Sequence, residues 1–280
     1  MLRGRESTNI EDQRGMGGKG IAVGGGGIGV LLLALVIYLC GGDPSQLLEN
    51  LPGQGQIPPQ EQQQVQQQAP NAPQTNDDQR RFAASVLGST EDVWNKVLPQ
   101  QARTRYREPK LVLFTDQVQS ACGVAGSSSG PFYCPGDEKL YLDFSFFREL
   151  QSEFKAPGDF AQAYVIAHEV GHHVQNILGT MDKVNRAGNN NQLSVALELQ
   201  ADCYAGVWAS YAQKQGLVEA GDAEEAIRAA GAVGDDAIQK RGQGYVVPES
   251  FTHGSSRERI SWFAKGFQTG DMRQCGTFSR

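Results

Sequence analysis

The rhythm of apolar and polar positions changes three times along the chain. Residues 1–20 are polar, with Arg3, Arg5, Arg14 and Lys19 set against Glu6, Glu11 and Asp12. Residues 21–40, IAVGGGGIGVLLLALVIYLC, carry no charge in 20 positions. A helix rising about 1.5 Å per residue would reach about 30 Å over that length, the thickness of a bilayer core, so the stretch predicts one transmembrane helix. Residues 41–80 include QGQIPPQEQQQVQQQAPNAPQ, with too few apolar side chains to bury, and predict a disordered Gln/Pro-rich linker. From 81 to 280 the pattern becomes periodic, over a length that suits a single domain.

Within that domain helical spacing dominates. Residues 79–98 predict one or two helices, with Thr90 placed to cap the second. LVLFT (111–115) and KLYLD (139–143) predict strands, the second running into a helix over 144–154. PGDFAQAYVIAHEVGHHVQNILG predicts a long helix, with Asp159 and Gln162 spaced as a capping box and Gly179 as its stop. NQLSVALELQADCYAGVWASYAQK (191–214) predicts another, and shorter helices follow near 222–231, 234–241 and 256–267. The fold class is therefore α+β: a mostly helical domain with a small sheet, preceded by the apolar segment and linker.

Charge gives this layout an orientation. The four basic residues lie before the apolar stretch, and none lies between Cys40 and Arg80. The positive-inside rule then places residues 1–20 in the cytoplasm and the domain in the periplasm or outside the cell, as a single-pass inner-membrane protein contacting the bilayer through 21–40. A cleaved signal peptide fits less well, because the run is long and no A-x-A-like site follows. Lipid attachment at Cys40 stays open, although Leu39 is large for the residue before a lipidated cysteine. The net charge of −6 and pI near 5.3 argue against nucleic acid as a partner. Five cysteines occur with no C-x-x-C spacing. Cys122 and Cys134 bracket a Gly/Ser loop and are candidate disulfide partners outside the cytoplasm, leaving Cys203 with Cys275; four cysteines allow three pairings, and spacing does not choose among them.

The chemistry concentrates in AHEVGHHVQ (167–175), which holds three of the four histidines. His168 and His172 are four apart, so a helix presents both imidazoles on one face, able to reach one tetrahedral ion. Glu169 falls beside such an ion, where a carboxylate can take a proton from water and pass it on. This is the H-E-x-x-H pattern of zinc peptidases. His173 is turned about 100° from His172 and reads as a surface or packing histidine. The next long helix carries Glu198 and Asp202, again four apart, among Leu197, Leu199, Ala201 and Ala205. Two carboxylates on an apolar face repel and are poorly solvated unless a cation joins them. Glu198 is therefore the expected third ligand to Zn2+. Asp202 is expected to orient a ligand histidine through its other ring nitrogen.

HEVGHH followed by ELQAD resembles the glutamate-zincin peptidases. More closely, the chain resembles the bacterial neutral zinc metallopeptidase family, in its apolar N-terminal segment, low-complexity tether, GPFYCPGDEKLYLDFSFF, HEVGHHVQ, ELQADCYAG and a final THGSSRERISWF. The resemblance covers nearly the whole chain and is densest over 121–280. It implies a zinc endopeptidase acting on proteins or peptides. THGSSRERI (252–260) also resembles the T-H-P-x-x-x-x-R-I segment of membrane-associated zincins, with Gly254 in place of proline. That likeness implies His253 as donor to the oxyanion formed on peptide attack and Arg259 as partner of an acidic group. The zincin likeness also makes Leu140, Tyr141 and Leu142 a candidate edge strand for an extended substrate. A reading from another class is a zinc-stabilised envelope scaffold that cleaves nothing; Glu169 argues against it, since a structural site needs ligands but no base.

Overall fold

A computed structural model of the chain describes residues 4–15, 74–188 and 190–278, with no side-chain account of residues 74–76. The expected transmembrane stretch 21–40 and the linker as far as residue 73 lie outside the described residues. Among the described residues no helix is long and apolar enough to cross a membrane.

The elements follow in the order β1 (Ile10–Asp12), α1 (Gln74–Val97), β2 (Lys110–Phe114), β3 (Gln117–Ser120), β4 (Gly123–Gly126), β5 (Phe132–Cys134), β6 (Lys139–Asp143), α2 (Ser145–Ser152), α3 (Asp159–Ile177), α4 (Thr180–Arg186), α5 (Asn191–Lys214), α6 (Asp222–Ala232), α7 (Asp235–Gln243) and α8 (Ser256–Thr269). The domain is mostly helical with a small sheet, as the periodicity predicts. Four strands make the main sheet in the order β1-β2-β6-β5; β1, β2 and β6 run parallel, and β5 runs antiparallel to β6. Strands β3 and β4 form a separate hairpin.

Alternation in β6 sends Leu140 and Leu142 into the main core, with Leu111, Phe160, Tyr164, Trp208 and Phe263. Tyr141 goes to the opposite face, into a second cluster with Val112, Phe114, Val118 and Cys134. Both faces of the sheet are thus buried.

Four expectations change. Of the segment 1–20, the described residues 4–15 are not apart from the domain: they belong to one compact unit with 75–280, because β1 pairs in register with β2, Ile10 opposite Leu111. Strand β6 is not an edge, since β2 flanks it on one side and β5 on the other; the free edge beyond it belongs to β5. Asp159 does not cap α3. Gly158 holds the cap position with no side-chain bond, and Glu225 of α6 accepts from the Phe160 N–H at 3.1 Å instead. Thr90 is likewise no cap, because α1 runs unbroken past it.

Candidate metal centre

The centre lies where α3 meets α5. His168, Gly171 and His172 share the face of α3 that turns toward α5, and Gly171 sets how near the helices come. A Cβ built on Gly171 would stand 2.9 Å from Ala201 O and 3.1 Å from Ala201 Cα of α5. The bare surface that Gly171 leaves is therefore the contact itself. Gly171→Ala is expected to force the helices apart and cost about 1–3 kcal/mol as overpacking does, with a parallel loss of zinc affinity. Thermal unfolding and a zinc titration would check it; an unchanged midpoint would show that the contact can yield.

At this crossing three residues converge. His168 Nε2 lies 3.1 Å from Glu198 Oε2, and His172 Nε2 lies 3.3 Å from Glu198 Oε1. The three ligand atoms all fall within 4.8 Å of one another. Ligand atoms about 2.0–2.1 Å from a tetrahedral zinc stand roughly 3.3 Å apart, so two imidazole nitrogens and one carboxylate oxygen fit this ion by type and spacing. Burial favours the neutral form of Glu198, yet the two imidazoles outweigh it and hold the carboxyl well below its ordinary range. Burial also opposes charge on His168, but Asp202 and Glu198 win and push it up to about 10.

Both histidines have their other nitrogen tied. His168 Nδ1 donates to Asp202 Oδ1 at 2.9 Å. His172 Nδ1 donates to Gln175 Oε1 at 2.9 Å. With Nδ1 tied to its acceptor, Nε2 is the nitrogen on each ring that would give its lone pair to a metal, the Nε2 proton of His168 being displaced. Gln175 lies outside the sequence expectations, although it closes the AHEVGHHVQ stretch three residues after His172, one helical turn along. Its amide is fixed in turn, Nε2 donating to Leu197 O at 2.6 Å and to Gln200 Oε1 at 3.2 Å. Gln200 then donates to Cys275 O at 2.9 Å. Cys203 and Cys275 form a disulfide, so the C-terminal tail and the His172 support are joined.

Asp202 is fully buried and heavily bonded. It accepts from Arg259 Nε at 2.8 Å and Nη2 at 3.0 Å, and from Tyr164 Oη at 2.5 Å. Arg259 also donates from Nη1 to Val233 O at 3.1 Å. Tyr164, four residues before His168, also escapes a reading of the sequence alone. A capping box, Ser255 with Glu258, starts α8 and aims Arg259 inward.

The open side of the centre is a cleft lined by Glu169, His168, His172, Glu198 and His253, with residues 128–133 opposite. Glu169 is half-buried there, and burial raises its carboxyl, partly countered by His172 and His168. His253 reaches the cleft from the loop before α8, its side chain 51% exposed. Its Nδ1 contacts Asp235 Oδ1 at 3.2 Å. Asp235 Oδ2 collects the N–H groups of Thr252, His253 and Gly254 at 2.8, 2.6 and 3.0 Å. Asp235 thus shapes the whole turn, and no spacing rule pointed to it. Gly254 has φ +92°, which proline's ring forbids, so this turn differs from that of the T-H-P segment.

His173 is fully buried and packs instead of reaching the cleft. Its Nε2–H donates to Arg107 O at 2.6 Å, so its Nδ1 accepts from Tyr133 Oη at 3.0 Å. Burial lowers its pKa, in keeping with a neutral ring. The bond clamps β5 to the metal helix. A second disulfide, Cys122–Cys134, ties the turn between β3 and β4 to the same strand. Both pairings agree with the ones favoured from sequence.

The chain is 44% identical to the uncharacterized protein YpfJ of Escherichia coli K12, over 99% of this chain and 97% of the relative. It is 43% identical to the uncharacterized protein Rv2575 of Mycobacterium tuberculosis, over 73% of this chain and 74% of that one. No solved structure matches. The model of one family matches residues 2–278, a span that holds the buried two-histidine, one-carboxylate centre, so the chain belongs to the zinc-dependent family described as "putative neutral zinc metallopeptidase".

Proposed function

We propose that the chain is a zinc-dependent endopeptidase of the H-E-x-x-H type, with His168, His172 and Glu198 as ligands and Glu169 as the proton-transferring base. The observation that carries the reading is the cleft itself: a non-ligand carboxylate, Glu169, stands in it beside a three-atom metal set. Zinc, when bound, polarises the scissile carbonyl and lowers the pKa of attacking water. Glu169 takes the proton from that water on a carboxylate oxygen and delivers it to the leaving amine nitrogen. Its upward-shifted carboxyl suits this exchange, because the proton is then not held too weakly. The substrate lies extended along the free edge of β5, where backbone groups of residues 132–134 can add it as a further strand. The purified protein with zinc should cleave members of a broad peptide library, and chelation should stop it. Zinc-loaded protein that cleaves nothing would sink this reading and leave the scaffold.

His253 serves the oxyanion. Asp235 holds Nδ1, leaving Nε2–H free to donate toward the cleft. The hydrogen bond to Asp235 raises the His253 pKa, burial opposes it, and Glu198 adds to the rise. A donor that must be protonated works below its pKa and fails as pH rises through it. Asp235→Asn removes the carboxylate, lowers the His253 pKa and is expected to move the alkaline limb of the kcat profile to lower pH. An alkaline limb that stays in place would remove His253 from the mechanism.

A further inference from the structure

Residues 4–14 carry much of the positive charge that reads as a cytoplasmic flank, yet that charge is spent on the metallopeptidase domain. Glu91 of α1 is 1% exposed. Its Oε2 accepts from Arg5 Nη2 at 2.6 Å, and its Oε1 from Ser7 Oγ at 2.5 Å and Asn9 Nδ2 at 2.9 Å. The Ser7 N–H donates to Ala84 O at 2.9 Å. Arg5 passes so near α1 that its carbonyl oxygen lies 2.2 Å from where a Cβ on Gly88 would be, so only glycine admits it. Strand β1 continues the dock along β2, and Glu11 takes ion pairs from Lys110 and Lys139, each at 2.8 Å. Arg14 lies over the Phe144 ring, 5.1 Å from its centre. Arg80 Nε stands 3.8 Å from Asp12 Oδ2, so the chain that leaves after residue 14 is back beside its point of departure by residue 80.

We propose that residues 4–14 and the metallopeptidase domain stand on the same side of the membrane in the folded protein. A single crossing between residues 15 and 74 would carry β1 away from β2 and strip three donors from a buried carboxylate, an expensive loss. The excursion must therefore cross an even number of times or not at all. Its sequence offers one apolar run long enough for one crossing, residues 21–40, and no comparable run from 41 to 73. That run then does not serve as a single-pass anchor. The two disulfides put that side in an oxidising compartment.

The test reads accessibility, so it stands or falls apart from peptidase activity. Thr8 and Gln213 are both exposed. Thr8→Cys and Gln213→Cys, each in full-length chain carrying Cys40→Ser, would be treated in bacterial spheroplasts with a membrane-impermeant maleimide mass tag. Each signal would be normalised to labelling in detergent; Glu6→Cys, also exposed, would replace Thr8→Cys if that variant were unstable. The expected result is equal, near-complete labelling of both thiols before lysis. Labelling of Gln213→Cys before lysis and Thr8→Cys only afterwards would restore the single-pass arrangement and overturn the proposal. Protection of both until lysis would keep them on one side and overturn the oxidising compartment.

Discussion

Glu169→Gln is expected to bind zinc as the parent chain does while peptide cleavage falls by on the order of 10²–10⁴-fold, the usual worth of a positioned proton-transfer group. The three ligand atoms come from His168, His172 and Glu198, so an amide at 169 leaves the metal set intact. Glutamine keeps the volume of glutamate but can neither accept the proton of water nor hand it on. The loss should appear in kcat with KM nearly unchanged, because the role is exercised only in the transition state. Stability should not suffer. Burial raises the folded carboxyl, so ionising it at neutral pH works against the metal-free fold, and the amide removes that burden. Zinc content, steady-state kinetics and a thermal scan in chelator would separate these effects. Full activity with zinc in place would end the case for Glu169 as base.

The parts of this centre that are legible in sequence share one property: they repeat at helical spacing and carry charge or a metal-binding ring. His168 with His172, and Glu198 with Asp202, announce their faces four residues apart. Gln175 sits at a comparable spacing, but a neutral amide gives no chemical signal until its contact with His172 Nδ1 is seen. Asp235 lies 18 residues before His253, at the start of α7, and only the tertiary turn unites them. Strand β5 has three residues, too few for alternation to register, and without it β6 reads as the edge. In principle KLYLD carries a warning. Leu140 and Leu142 on one face and Tyr141 on the other are all bulky, as a strand buried on both faces requires. The N-terminal strand, IED, is short and polar, and its neighbouring arginines imitate a topology signal while serving as ion-pair partners. The cap of α3 comes from Glu225, which accepts from the Phe160 N–H across 65 residues, beyond any local rule.

Asp202→Ala is expected to be the most damaging single change to the fold near the centre, costing about 3–5 kcal/mol, the range for breaking a buried ion pair from one side. The side chain is fully buried and binds Arg259 through both oxygens. Alanine would leave the Arg259 guanidinium inside the protein with Val233 O and Tyr164 Oη but no carboxylate bonded to it. Tyr164 would lose the acceptor of its hydroxyl proton, and His168 the group that fixes its Nδ1–H. A domain of this size shifts by roughly 2–4 °C per kcal/mol, so the midpoint of the metal-free protein should fall by about 6–20 °C. Zinc affinity should fall as well, by roughly the 10–100-fold typical of losing a group that orients a ligand histidine. Measuring the midpoint first in chelator keeps the two apart, because bound metal adds its own stabilisation to the parent. Arg259→Met gives the contrast. It removes the guanidinium and leaves Asp202 with His168 and Tyr164 as donors, so its cost should be smaller than that of Asp202→Ala. If the two variants unfold at the same temperature in chelator, the stranded guanidinium is not what destabilises Asp202→Ala, and the aspartate matters to the fold only through His168 and Tyr164.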